Sequence, residues 1–237
     1  MSTESSAGEL KNINNTMKWN TVGLFATPLI KIELEGADKA KQYFHSNIHK
    51  SSNREANFEG APESNGLFHF HHHTSVFEVF PDLNWLQVKI EEAGNFAYRE
   101  LLNYKKSGPL KITNAWFNLC DIGASQSMHS HANSLLSGTL YLNTDSNSEI
   151  KFYHPLTSIS QHTEIYDKAA ESKNDYGLRY HHREIIVDVS AGECLFWPSQ
   201  LQHGYVNNQT PQRLSLSFNL MPEYLNNIYQ VSSHPSL

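Results

Sequence analysis

Through the second half of the chain, apolar and polar positions alternate one by one. From Arg213 to Leu220, Leu214, Leu216, Phe218 and Leu220 fall on one face, and Arg213, Ser215, Ser217 and Asn219 on the other. Leu136 to Asn143 behaves alike, with Leu136, Gly138, Leu140 and Leu142 against Ser137, Thr139, Tyr141 and Asn143. Successive side chains of a strand point to opposite sides, so each of these strands has an apolar face and a hydroxyl-rich face. Upstream of Gly108-Pro109 the period changes. Leu86, Ile90, Ala93, Ala97 and Leu101 recur at helical spacing within 82–104, with Pro81-Asp82 as a start signal and Asp82 as N-cap. That stripe predicts a helix lying against a sheet. Val22 to Leu34 reads as strand, with Pro28 restricting part of it to an edge. Residues 37–50 read as a short helix and 51–66 as a polar, turn-rich loop.

The pattern predicts a mostly β fold with flanking helices. Two arrangements fit it. A sandwich with an ordinary apolar interior leaves the polar faces to solvent, whereas a jelly-roll barrel with a ligand-holding interior turns them inward and puts the 82–104 helix outside. Residues 1–18, rich in Ser, Asn, Glu and Thr, read as a flexible lead-in. A single domain is expected over 19–237: N-terminal strands and supporting helices at 19–110, the jelly-roll core at 111–220 and a C-terminal tail at 221–237.

Composition narrows the function. With 39% hydrophobic residues in 237, the chain can bury a core, which excludes wholesale disorder. Its 24 acidic residues outnumber the 18 basic ones, so no nucleic-acid partner is expected. No apolar run is long enough to cross a bilayer, and Met1 to Asn15 hold no apolar core of a secretory signal. Two cysteines, Cys120 and Cys194, make no disulfide framework and read as small buried hydrophobes in a reduced cytoplasmic protein. An edge strand offers a route to a homodimer.

Fourteen histidines are many for a chain of this size, and histidine is the commonest metal ligand. On an extended segment, His129 and His131 point the same way, about 7 Å apart at ~3.3 Å per residue. They can grip one ion if a third ligand arrives, and His203, beyond a strand and a proline turn, is the best candidate. The plain alternative is two surface histidines on an edge strand and a third at a turn. Arg213 and Ser215 follow on one polar face; a guanidinium fork suits a carboxylate. A metal with Arg213-x-Ser215 nearby holds a dicarboxylate by both ends, unless Arg213 only pairs with a surface acid. Tyr141 and Asn118, on polar faces, are either further hydrogen-bonding groups for such a ligand or simple pocket lining. The tract Phe68-His69-Phe70-His71-His72-His73-Thr74 reads chiefly as a solvated loop or edge strand, less readily as a pocket mouth. His181-His182 sits in a polar insertion, Glu171 to Arg183, of the kind that closes over substrates.

Three separated motifs carry a family resemblance. His129 to Leu142 (HSHANSLLSGTLYL), Ala191 to His203 (AGECLFWPSQLQH) and Arg213 to Asn219 (RLSLSFN) resemble, in order and spacing, a 2-oxoglutarate/iron(II)-dependent oxygenase family of bacteria and phages. Trp116-Phe117-Asn118 and Phe152-Tyr153-His154-Pro155 resemble its flanking strands. The likeness covers roughly 110–220. It implies a double-stranded β-helix (jelly-roll, cupin-like) core and iron(II) held by His129, His131 and His203. It further implies 2-oxoglutarate with its distal carboxylate on Arg213 and Ser215, and O2 as oxidant. The implied activity is dioxygenase hydroxylation of an unactivated C–H bond in a small polar metabolite or a protein side chain, releasing succinate and CO2. The wider superfamily places a carboxylate where His131 stands. Three neutral imidazoles leave the full charge of the ion for the co-substrate to cancel, and such sites also suit zinc.

A cupin reading uses some of the same letters. Gly123-x5-His129-x-His131 and Gly192-x5-Pro198-x4-His203-x3-Asn207 fit parts of its two motifs. The glutamate expected soon after His131 is replaced by Ser134, Leu135 and Leu136, Gln200 replaces a glycine, and nothing in that reading calls for Arg213-x-Ser215. The alternatives to the oxygenase are therefore a cupin-type metal enzyme without 2-oxoglutarate and a non-catalytic zinc- or ligand-binding jelly roll.

Overall fold

The computed structural model describes residues 27–49, 66–104, 107–132, 134–155 and 184–224 in full, together with the backbone of 6–10, 17–21, 54–56, 225 and 229–230. Strands β1 (Ser6–Leu10) and β2 (Met17–Thr21) pair antiparallel as a ribbon, the first lying within the segment read as a lead-in. The remaining strands are β3 (Ile30–Glu33), β4 (Arg54–Ala56), β5 (Leu67–Phe70), β6 (Leu110–Cys120), β7 (Gln126–His129), β8 (Leu136–Asn143) and β9 (Glu149–Tyr153). They continue with β10 (Glu184–Asp188), β11 (Glu193–Pro198), β12 (His203–Tyr205), β13 (Arg213–Pro222), β14 (Tyr224–Leu225) and β15 (Tyr229–Gln230). Helices are α1 (Ala37–Tyr43), α2 (Val76–Val79) and α3 (Asn84–Phe96). A seven-stranded sheet runs β3-β11-β8-β13-β6-β5-β4, and a four-stranded sheet runs β10-β9-β12-β7. Every pairing is antiparallel. This is a double-stranded β-helix with flanking helices.

The apolar faces decide which way the large sheet turns. Leu214, Leu216, Phe218 and Leu220 of β13 are all fully buried in one cluster with Leu86 and Ile90 of α3 and Phe44 beyond α1. Burying a side chain of this size contributes about 1.5–3 kcal/mol, so four of them outweigh any preference of the hydroxyl face for one side. The helices cover that face. Ser137, Thr139, Tyr141, Arg213, Ser215 and Ser217 are left on the inner side, and all but Ser137 line the central cavity. Of the two arrangements that the alternation allowed, the chain adopts the jelly roll.

Several elements differ from their expected limits. The helix expected over 82–104 is α3, entered by a 3-10 turn at Pro81–Leu83 and followed by a π-helical turn at Ala97–Leu101. Asp82 lies in the entering turn and caps nothing; Leu83 is the capping position. The wider π turn shifts the phase of the stripe, which leaves Leu101 49% exposed while Leu86, Ile90 and Ala97 are fully buried. The strand expected over Val22 to Leu34 is confined, among described residues, to β3. In the loop expected over 51–66, Arg54–Ala56 pair with Phe68–Phe70 as β4. Strand β13 runs two residues past Leu220, into the expected tail. His181, His182 and the rest of the insertion from Glu171 to Arg183 lie outside the described residues.

Candidate metal centre

The four-stranded sheet and the segment that follows β7 bring His129, His131 and His203 together. His129 ends β7 and His203 begins β12, and the two pair directly in the ladder. His203 is thus a strand residue beyond the proline turn, which excludes the plain alternative of a histidine at a turn. His131 lies two residues past the end of β7, where its backbone N–H donates to Ser199 O at 2.9 Å. The ring centroids are 5.1 Å apart for His129 and His131, 4.4 Å for His129 and His203, and 5.0 Å for His131 and His203. Gly204 makes this approach possible. A Cβ there would stand 2.5 Å from Gln126 O on β7, so only glycine lets β12 pack this closely.

Two of the rings present the same nitrogen inward. Nδ1–H of His129 donates to Ser127 O at 2.8 Å and that of His203 to Leu201 O at 2.9 Å. Backbone carbonyls accept only, so in these two the proton sits on Nδ1 and the Nε2 lone pair remains for a ligand. Nδ1 of His131 lies 2.5 Å from Asn219 Oδ1 and 3.0 Å from Ser137 Oγ. The ligand atoms the triad can offer lie within 4.8 Å of one another. Nitrogens held at ~2.1 Å from one ion are about 3–3.4 Å apart, so side-chain rotation must close the triad by about 1–2 Å. Burial keeps the rings neutral, which metal binding requires. It depresses His129 and His131 and drives His203 down to about 3. The donor set fits a divalent first-row ion.

Arg213 lies within the same cavity of about 290 Å³ and, among the described residues that line it, is the only lysine, arginine or acidic side chain. Arg213 is 3% exposed, yet among the described residues no carboxylate pairs with its guanidinium. Nη2 donates to Glu149 O at 3.0 Å, and the group stacks over Tyr205 at 4.2 Å and near Tyr141 at 5.4 Å. Burial pushes the Tyr141 phenol up to about 12 and Tyr205 well above its ordinary value, so both stay protonated and can donate hydrogen bonds beside the cation. Ser215 lines the wall next to Arg213. Asn118 is committed elsewhere: its Nδ2 donates to Ser217 Oγ at 2.9 Å and its Oδ1 lies 2.6 Å from His69 Nδ1.

Comparison with known proteins agrees with this geometry. Residues 114–219 match the family model described as "Putative 2OG-Fe(II) oxygenase". Over that span the chain is similar to the 2-oxoglutarate/iron(II) oxygenase family. The matched span runs from β6 to β13 and holds all three histidines, Arg213 and Ser215. No curated protein matches the chain. An oxidoreductase of the 2OG-Fe(II) oxygenase family from Burkholderia pseudomallei superposes with TM-score 0.54 at 9% identity, covering 81% of this chain and 84% of its own. HygX from Streptomyces hygroscopicus, solved with nickel and 2-oxoglutarate bound, gives 0.52 at 12% identity with 83% of each chain covered. A prolyl hydroxylase from Trichoplax adhaerens, in complex with a hypoxia inducible factor peptide fragment, gives 0.52 at 11%, covering 81% and 83%. At such identities these likenesses carry the fold alone.

The structure also places residues that sequence reasoning discounted. His69 and His72, from the tract read as a solvated loop or edge strand, line the cavity. His69 is 5% exposed on β5, which pairs with β6 and sets His69 opposite Asn118. The His72 ring packs edge-on against Trp116 at 4.7 Å, and burial lowers His72 to about 4. Nothing within residues 67–73 announces this, because the pairing partner lies in a distant segment. Tyr205 and Asn114 were missed for the same reason. Asn114 Nδ2 donates to His72 O at 2.7 Å, and its buried Oδ1 has no hydrogen-bond partner in a cavity wall.

Proposed function

We propose that the chain binds iron(II) through Nε2 of His129, His131 and His203, and seats 2-oxoglutarate with its distal carboxylate on Arg213. The observation that carries this is the buried guanidinium without a carboxylate, sharing one cavity with three converged imidazoles. An unpaired buried charge costs several kcal/mol, and an anionic ligand offsets that cost. Tyr141 and Ser215 add hydroxyl donors beside Arg213, while Asn118, held by His69 and Ser217, braces the wall. When bound, iron(II) and 2-oxoglutarate supply oxidative decarboxylation to succinate and CO2 coupled to O2-driven hydroxylation of a C–H bond. The chain's own contribution is position and exclusion of water: Trp197 and Phe152 pack against His203, at 4.7 and 6.2 Å between ring centroids.

The substrate face is bounded by His69, His72, Asn114 and Trp116. Among the described residues it contains no acidic group to pair with a cation, and Asn114 Oδ1 offers an acceptor. These features support a small polar metabolite or an uncharged protein side chain carrying an N–H or O–H donor. Among the described residues no helix is long and apolar enough to cross a membrane, and Cys120 and Cys194 are buried and free; both support a reduced cytoplasmic setting. Anaerobic titration of iron(II)-loaded protein with 2-oxoglutarate tests the reading. Chelation produces a visible metal-to-ligand charge-transfer band. Bound iron without that band moves the assignment to a cupin-type or non-catalytic jelly roll.

A further inference from the structure

We infer that Tyr205 is a positioning residue for Arg213, fixing how far the guanidinium stands from the three histidines and so the length of dicarboxylate that the site accepts. This inference deepens the reading above and rests on Arg213 meeting the distal carboxylate. Strand β12 carries both ends of the arrangement. His203 and Tyr205 are two residues apart on it and both line the cavity. Their side chains leave the same side of the strand, about 7 Å apart at ~3.3 Å per residue. The guanidinium lies over the Tyr205 ring at 4.2 Å, whereas Tyr141 is at 5.4 Å. One short strand therefore presents a candidate metal ligand and the ring that holds the cation.

Further contacts keep the ring and the cation in register. Arg213 opens β13 opposite Cys120 at the end of β6. The Tyr205 hydroxyl lies 2.8 Å from Cys120 Sγ, and Tyr205 packs against the buried cluster of Leu67, Cys120 and Ala124. A ring is needed because the guanidinium has somewhere else to go. Arg213 and Tyr205 also line a second pocket of about 430 Å³, whose wall includes Glu149 and Asp188. Neither carboxylate pairs with Arg213, which donates instead to the backbone O of Glu149 at 3.0 Å. A cation–π contact holds a guanidinium without neutralising it, so the charge stays available to a ligand that must come and go. Without the ring, the side chain is drawn toward those acids and away from the cavity.

The test titrates nickel-loaded protein, without oxygen, with three acids that share the chelating end. 2-Oxoglutarate carries the distal carboxylate, 2-oxobutyrate lacks it, and 2-oxoadipate sets it one methylene further out. Tyr205→Leu and Tyr205→Met both remove the ring, and the longer Met fills more of its space should Leu fail to fold. Tyr205→Phe keeps the ring. Calorimetry of wild type should show 2-oxoglutarate binding at least about ten-fold tighter than either other acid. In the ring-free variants 2-oxoglutarate should weaken about 5–30-fold, the size of a desolvated cation–π contact. There 2-oxobutyrate should stay within about two-fold of wild type, and the preference over 2-oxoadipate should shrink. Tyr205→Phe should hold all three acids within about two-fold of wild type. Ring-free variants that keep the wild-type affinities overturn the inference. So does an equal loss of 2-oxoglutarate and 2-oxobutyrate, which makes Tyr205 a packing residue of β12, and so does a loss in Tyr205→Phe as large as theirs. Wild type that binds 2-oxoglutarate no tighter than 2-oxobutyrate refutes the reading beneath, because Arg213 then meets no carboxylate. Wild-type preference beside unchanged ring-free variants refutes only the role of Tyr205.

Discussion

Replacing Arg213 with Met separates a ligand-binding charge from a structural one. Arg213 is 3% exposed, with a hydrogen bond to Glu149 O and the ring of Tyr205 at 4.2 Å from its guanidinium. Removing it forfeits a charge-assisted hydrogen bond of about 1.5–3 kcal/mol and a cation–π contact of about 0.5–2 kcal/mol. It also relieves the burial of an unpaired charge, which costs several kcal/mol. These contributions oppose one another, so unfolding free energy without metal should stay within about 2 kcal/mol of wild type. Binding of 2-oxoglutarate has no such compensation. A carboxylate left buried without its cation loses about 2–5 kcal/mol, which is about thirty-fold to several thousand-fold in affinity. Urea unfolding of metal-free protein gives the first quantity, and calorimetric titration of nickel-loaded protein without oxygen gives the second. Arg213→Met that unfolds much more easily yet binds 2-oxoglutarate within three-fold of wild type would refute the reasoning.

Three further outcomes are expected. Gly204→Ala should destabilise the protein by about 1–3 kcal/mol and weaken metal binding, because its Cβ would stand 2.5 Å from Gln126 O and part β12 from β7; undiminished zinc affinity would show that the close approach is dispensable. The second concerns pH. Burial lowers His203 to about 3 and His72 to about 4, from an unfolded value of 6.5. Below pH 6.5 the unfolded chain therefore takes up protons that the native state refuses. The stability these rings contribute is present above pH 6.5 and is lost as pH falls toward their folded values, at a slope approaching about 1.4 kcal/mol per pH unit for the buried His203 and less for the more exposed His72. Urea unfolding of metal-free protein between pH 6.5 and 5, above the carboxylate range, checks this, and a flat profile contradicts it. Thirdly, stripping a metal present at a hundred times its dissociation constant should cost about 2.7 kcal/mol, or about 5–10 °C in Tm for a domain of this size. A chelator should not shift the Tm of a variant with all three histidines replaced.

Local pattern carried a good deal of the site. The alternation in Leu136–Asn143 and Arg213–Leu220 identified two neighbouring central strands, the second of which continues to Pro222, and it assigned the polar faces correctly except at Asn143, which a bulge sets opposite Leu214 and which accepts from Lys41 of α1. The spacing His129-x-His131 with a distant His203 named the cluster that the fold assembles. Helical periodicity found α3 but missed its π-helical end, because one turn of different pitch leaves no mark in composition. The tract His69–His73 went the other way. Its letters suggested chemistry, but only pairing with β6 decides whether a histidine faces water or the cavity.

What the sequence by itself determined is therefore what depends on neighbours in the chain. The two-residue period of the strands, the three-plus-four period of α3, the candidate ligands and the arginine opposite them all belong there. What the tertiary structure decided is what depends on residues far apart. Ladder pairing puts His203 beside His129. The approach of β13 brings Asn219 against His131, and burial leaves Arg213 a cation without a counter-charge. Periodicity is a property of consecutive dihedrals, whereas register and burial come from bringing distant segments together, and local pattern only constrains those.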